Sequence, residues 1–253
     1  RVAVLAVDFT DSPDEPFKIA AAEQKIFNDQ VNNFYREQSY GRVSLAGKAY
    51  GWFTLPREGD AGGGCSLPTL GGGGELDQFI LDSFRPEAYD RYVILLNHPC
   101  FTGGQSTIGK RTFNIGGRDV YISVAQIGAS SIWANPRNPA NQNFSWTWLD
   151  FIVSHELGHS FGLYHANGWD CGAETLYGNC LNVEYGNHFD AMGYGILTNH
   201  FNAFYKERLS WLKSEEILLI DRPGRYKLNT LEEIGGPKIA KIKLLDSDVT
   251  PFY

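Results

Sequence analysis

The segment "HELGHSFGLYH" places three histidines and a glutamate within eleven residues, from His155 to His165. On a helix, His155 and His159 stand one turn apart on the same face, so both imidazoles can reach one ion. Gly162 lets the backbone leave the helix and brings His165 round as a third nitrogen ligand. Three protein ligands with one open position make the arrangement of a catalytic zinc rather than a structural one. Glu156 lies beside that face, within reach of a water on the ion without being a ligand. Zinc lowers the pKa of such a water toward about 7 and polarises a carbonyl oxygen. Glu156 then takes the proton during attack on a carbonyl and delivers it to the leaving amine. The remaining histidines, His98, His188 and His200, fall outside this segment and read as loop or cap residues.

These side chains need a helix buried on most sides. "SWTWLDFIVSHELGHSFG" supplies it, with Ser145 as N-cap and Gly162 at the left-handed stop. One apolar stripe runs Leu149, Val153, Leu157, Phe161, and a second runs Trp148, Ile152 and continues as His155 and His159. Upstream, "RVAVLAVDF" reads as a strand and "AAEQKIFNDQVNNFYREQ" as one amphipathic helix. "RVSLAGKAYGWFTL" reads as a strand or hairpin, with Tyr50, Trp52 and Leu55 as core candidates. "ELDQFILDSF" is a short helix, "RYVILLN" a buried strand, and "QSTIGKRTF" with "RDVYISVAQI" a looser pair. This order predicts an α/β (α+β) sandwich with a mixed, twisted sheet around a central zinc-binding helix. Downstream, "TNHFNAFYKERLSWL" reads as a helix capped near Thr198 or Asn199, packing through Phe201, Phe204, Tyr205 and Leu212. "EEILLI", "GRYKLNTL" and "KIAKIKLLD" read as short strands. A catalytic domain is expected over residues 1–213, its upper subdomain spanning 1–165 and its lower subdomain 166–213. The start of a C-terminal β module, truncated, is expected over 214–253.

Composition bounds the rest. The chain has 253 residues and a net charge of -7, which argues against a surface that tracks nucleic-acid phosphates. No apolar run approaches a membrane span. It opens at Arg1 without an initiator methionine or signal-like stretch, as a processed or trimmed chain would. Cys171 and Cys180 bracket a short loop and are expected to pair, leaving Cys65 with Cys100. Such bridges point to secretion, with four buried thiols in the cytosol as the alternative. Asp8, Asp11, Asp14 and Glu15 could bind calcium, but they lack a regular ligand spacing and also suit a solvated turn. "GQSTIGKR" nearly spells a phosphate loop, yet Arg111 stands where magnesium needs a hydroxyl and no helix follows.

The only methionine, Met192, sits in "HFDAMGYG", 27 residues after His165. The motif H-E-x-x-H-x-x-G-x-x-H followed by such a methionine turn resembles the metzincin zinc endopeptidases. Within them the chain most resembles the gametolysin-like peptidases, through "VLAVDF", "FYREQSYGRVSLAG", "HELGHSFGLYHANGWD", "EYGNHFDAMG" and "HFNAFYKERLSWL". Asn187 departs from an expected aspartate. The resemblance implies that Met192 forms an apolar floor beneath the zinc. It implies too that Tyr194 can ligate zinc at rest and hydrogen-bond the oxyanion in the transition state. A protein or peptide substrate would lie extended along the sheet edge at Ser106, Thr107, Ile108 and Gly109, with Ile196 and Leu197 walling the pocket beyond the cleaved bond. Trp169 and Asp170 either brace the site or simply pack, and packing is the expectation. The expectation is therefore a secreted, monomeric zinc endopeptidase, and its rival a catalytically silent module that keeps zinc for binding or adhesion.

Overall fold

Eight consecutive apolar or shielded residues, Val2–Phe9, form strand β1, and all eight are buried. A strand covered on both faces belongs at the centre of a parallel sheet, and β1 is flanked on either side by parallel partners. The computed structural model describes residues 1–10, 13, 15–56, 68–98, 103–129, 146–173, 180–194 and 199–242. The chain divides into two compact units, Arg1–Phe34 with Leu45–Tyr164, and Tyr35–Ser44 with His165–Tyr253.

In the first unit the helices are α1 (Ile19–Glu23), the beginning of α2 (Gln30–Gln38), α3 (Glu75–Ser83) and α4 (Trp146–Ser160). The further strands are β2 (Gly47–Leu55), β3 (Arg91–Leu96), β4 (Gly104–Ser106), β5 (Arg111–Ile115) and β6 (Arg118–Gly128). The sheet runs β2-β1-β3-β6-β4, with β5 also paired to β6. Four strands are mutually parallel, while β4 and β5 run antiparallel to β6, so the mixed α/β architecture is as expected. One sheet face buries Leu5, Val7, Tyr92, Ile94 and Ile122 against Leu76 and Ile80 of α3. Helix α4 packs on β6 and β4.

The helix expected over residues 21–38 is interrupted. A π-helical turn, Gln24–Asn28, follows α1, and Asp29 leaves helical geometry at φ -131°. Asn32 accounts for the break. Its Nδ2 donates to the Phe27 carbonyl at 2.8 Å, and its Oδ1 accepts the Leu45 N–H at 2.7 Å. Strand β2 is a single parallel strand rather than a hairpin, with Leu55 in the core and Tyr50 and Trp52 half-buried.

Asp150 is buried on α4, and burial pushes its pKa up to about 6, against the pull of Lys25 and with a further push from Asp29. The folded chain keeps this proton between about pH 4 and 6, where the unfolded chain has lost it. Stability therefore falls as pH rises through that window. Asp150→Asn should be more stable than wild type at pH 7, by up to about 3 kcal/mol, and close to it at pH 4. Urea titrations at both pH values test this, and a gap independent of pH would refute it.

The second unit holds the ribbon of β7 (Gly168–Asp170) and β8 (Leu181–Val183), helix α5 (Ala203–Arg208), and the parallel pair β9 (Ile217–Ile220) and β10 (Ile239–Ile242). Its core joins Tyr35, Phe201 and Trp211, with ring centroids 5.9–6.5 Å apart. Buried Lys206 donates to the Gln38 carbonyl at 3.0 Å and lies over the Tyr40 ring. Helix α5 starts later than expected, because Asn202 rather than Thr198 or Asn199 caps it: its Oδ1 accepts the Tyr205 N–H. Phe201, Tyr205 and Leu212 are buried, as their spacing implied. Residues 224–231, expected as a strand, form none. Six of the eight are exposed, and β9 takes β10 as its partner instead. Cys171 and Cys180 are disulfide-bonded, closing the β7–β8 ribbon. Cys65 and Cys100 lie outside the described residues. Among the described residues, no helix is long and apolar enough to cross a membrane.

Candidate active site

Helix α4 carries His155 and His159 on one face, both buried, with ring centroids 4.9 Å apart and planes at 82°. The helix ends in a Schellman turn. Gly162, at φ +97°, donates to the His159 carbonyl at 2.8 Å, and Leu163 donates to the Gly158 carbonyl at 3.1 Å. This turn has a chemical consequence. It brings the Leu163 carbonyl to 2.8 Å from Nδ1 of His159. A carbonyl can only accept, so Nδ1 carries the hydrogen and Nε2 keeps its lone pair for an ion.

Glu156 is buried between these histidines in sequence. Burial pushes its pKa up to about 8, and its Oε2 has no hydrogen-bond partner among the described residues. A buried carboxyl oxygen without a partner is costly, and such groups cluster at functional sites. Strand β4 passes very close to it. A Cβ on Gly104 would lie 2.3 Å from Oε1 and 2.6 Å from Cγ of Glu156, so any larger residue there would force the strand or the glutamate to move.

The edge strand proves shorter than the expected stretch from Ser106 to Gly109. Strand β4 ends at Ser106, because the Thr107 Oγ1 accepts the Val124 N–H and Gly109 turns at φ +69°. The Gly109 N–H donates to the His159 carbonyl at 2.8 Å, tying this turn to the end of α4.

In the second unit, His165 Nδ1 lies 2.7 Å from Oε1 of Glu184, and the Tyr185 ring stacks on the imidazole at 3.8 Å. The Tyr205 hydroxyl donates to the His165 carbonyl at 3.0 Å. Met192 is fully buried, and its carbonyl accepts the Ala166 N–H at 2.9 Å. Buried Asp190 holds this methionine turn. Its two oxygens accept the Met192 and Asn202 N–H groups, each at 2.6 Å. Gly193 is required here, since a Cβ would sit 1.9 Å from the Asn187 carbonyl oxygen. The departure at Asn187 is conservative in geometry: its Oδ1 accepts the Phe189 N–H at 3.1 Å, as an aspartate oxygen would. Tyr194 is 74% exposed, with its ring 5.9 Å from that of His188.

The ligand nitrogens of His155, His159 and His165 all lie within 4.8 Å of one another and could hold a metal ion. Three imidazoles suit zinc, and the buried, unpaired oxygen of Glu156 fits a nearby cation. A family model described as metallo-peptidase family M12 matches residues 9–198, most of the chain. The chain belongs to this family. It is thus a zinc-dependent metallopeptidase of metzincin type. No curated protein matches it.

Several expected features of this peptidase sit elsewhere. Ile196 and Leu197 lie outside the described residues, as do Asp11 and Asp14 of the acidic cluster. Asp8 of that cluster is buried on β1, which a solvated turn would not do. His98 packs edge-on against Phe9, and His200 pairs with Glu37 at 3.2 Å. Trp169, expected to pack, is half exposed on β7. Sequence reasoning assigns no role to Gly104, Glu184 or Asp190. Gly104 stands in the near-phosphate-loop stretch, and the other two carry no periodic signal.

Proposed function

We propose that His155, His159 and His165 bind one catalytic zinc, and that Glu156 is the general base of an endopeptidase acting on extracellular or cell-surface proteins. The observation that carries this is the convergence of three imidazoles within 4.8 Å, with a buried, unpaired carboxylate on the same helix as two of them. Zinc, when bound, polarises the scissile carbonyl and makes water acidic enough to attack at neutral pH.

The chain's own residues do the rest. Glu156 takes the proton of the attacking water and passes it to the leaving nitrogen. Burial raises its proton affinity in the metal-free chain, and a divalent cation beside it would favour the ionised form that accepts the proton. Strand β4, which ends at Ser106, offers a sheet edge on which an extended peptide adds as a further strand, and the turn of Thr107, Ile108 and Gly109 beyond it bounds the groove. Tyr194 donates to the oxyanion. Met192, fully buried, supplies the apolar floor. The Cys171–Cys180 bridge fits an oxidising compartment, and the net charge of -7 suits a monomer that avoids nucleic acid.

Casein incubated with the zinc-loaded chain should be cleaved, and a chelator should stop the cleavage. Zinc-loaded protein that leaves casein intact, with or without chelator, would instead make this a binding module.

A further inference from the structure

His159 receives a neutral partner at Nδ1, the Leu163 carbonyl, whereas His165 receives a charged one, Glu184. The difference follows from the β7–β8 ribbon. Its register pairs Gly168 with Val183, so the residues just outside, His165 to Asn167 and Glu184 with Tyr185, lie side by side. His165 also needs the help. Its side chain is 24% exposed, while His155 and His159 are buried, so water competes for its nitrogens.

We propose that Glu184, with Tyr185 behind it, is a positioning residue for the third zinc ligand; this rests on the zinc-site reading above. At 2.7 Å the carboxylate accepts the Nδ1 hydrogen, which fixes the tautomer and leaves the Nε2 lone pair for the ion. The negative charge also makes the imidazole a stronger donor to the metal. Tyr185 closes the ring's face, with planes inclined by 33°. Independent support comes from its backbone. Tyr185 holds φ +60°, a left-handed geometry unfavourable for a bulky side chain. It is kept there by the Asn167 Oδ1, which accepts its N–H at 3.2 Å, and by the Tyr194 N–H, which donates to its carbonyl at 2.9 Å. Strain sustained by two such bonds indicates that the placement of this ring matters.

The test is a competition between the full chain and a chelator for zinc, with cobalt(II) as a visible probe and the melting point of the metal-free protein as a folding control. Glu184→Gln should bind zinc about 10-fold more weakly and Glu184→Ala up to about 100-fold. Both should melt like wild type without metal and show a shifted cobalt absorption. Glu215→Gln, on the exposed surface, should change none of these. Losses under threefold in both Glu184 variants, beside tight wild-type binding abolished by His159→Ala, would overturn the proposal alone. A wild-type chain that takes up no zinc, or a His159→Ala chain that holds it equally well, would overturn the zinc-site reading and this proposal with it.

Discussion

Glu156→Gln should lower kcat/KM by about 10²- to 10⁴-fold, the range that a positioned general base contributes, while zinc content stays that of wild type. Glutamine keeps the length and shape of the side chain, so the buried slot between α4 and β4 remains filled. What it loses is the ability to take a proton. The carboxylate oxygen Oε2 has no hydrogen-bond partner among the described residues, so no packing bond is sacrificed with it. The loss should therefore appear in kcat, with KM little changed, because the base acts on the reacting water and not on the bound peptide. Zinc release accompanying the change would place Glu156 among the ligands instead.

Gly104→Ala should cost about 10²-fold in kcat/KM, the penalty of moving a catalytic group by about 1 Å. The added methyl would meet Cγ, Cδ and Oε1 of Glu156 between 2.3 and 2.6 Å, distances that force one side to move. Strand β4 is held to β6 through Gly104, Gln105 and Ser106, and the Ser106 hydroxyl lies 3.2 Å from that of Ser160 at the end of α4. The glutamate is the freer of the two and should be displaced. Zinc binding should survive, since the three atoms nearest the new methyl all belong to Glu156, which is not a ligand. Unimpaired turnover would mean that β4 shifts instead, and that its approach to the base is incidental.

The features of this molecule that are legible in its sequence are those encoded within a turn or two of chain. Helix α4 announces itself through Leu149, Val153 and Leu157, its stop through Gly162, and its chemistry through His155 and His159 four residues apart. Strands β1 and β3 announce themselves through unbroken apolar runs. The resemblance to metzincins likewise rests on local motifs, and the family match over residues 9–198 agrees with it.

What escapes such reading is set by distant partners. The break at Asp29 depends on Asn32 bonding to Leu45, and the start of α5 depends on which asparagine reaches Tyr205. The Glu184–His165 pair spans 19 residues and exists because the ribbon fixes its register. Gly104 matters only because a strand from elsewhere in the chain meets Glu156. In each case an isolated segment has no preference strong enough to show the outcome, and packing decides it.

Elemental analysis of the purified chain beside His155→Ala, His159→Ala and His165→Ala tests the central claim most directly. The expected result is one zinc per wild-type chain and loss of the metal from every variant at a chelator level the wild type withstands. Full zinc retention after replacing any one of the three, or a wild-type chain that never acquires the metal, would contradict the account.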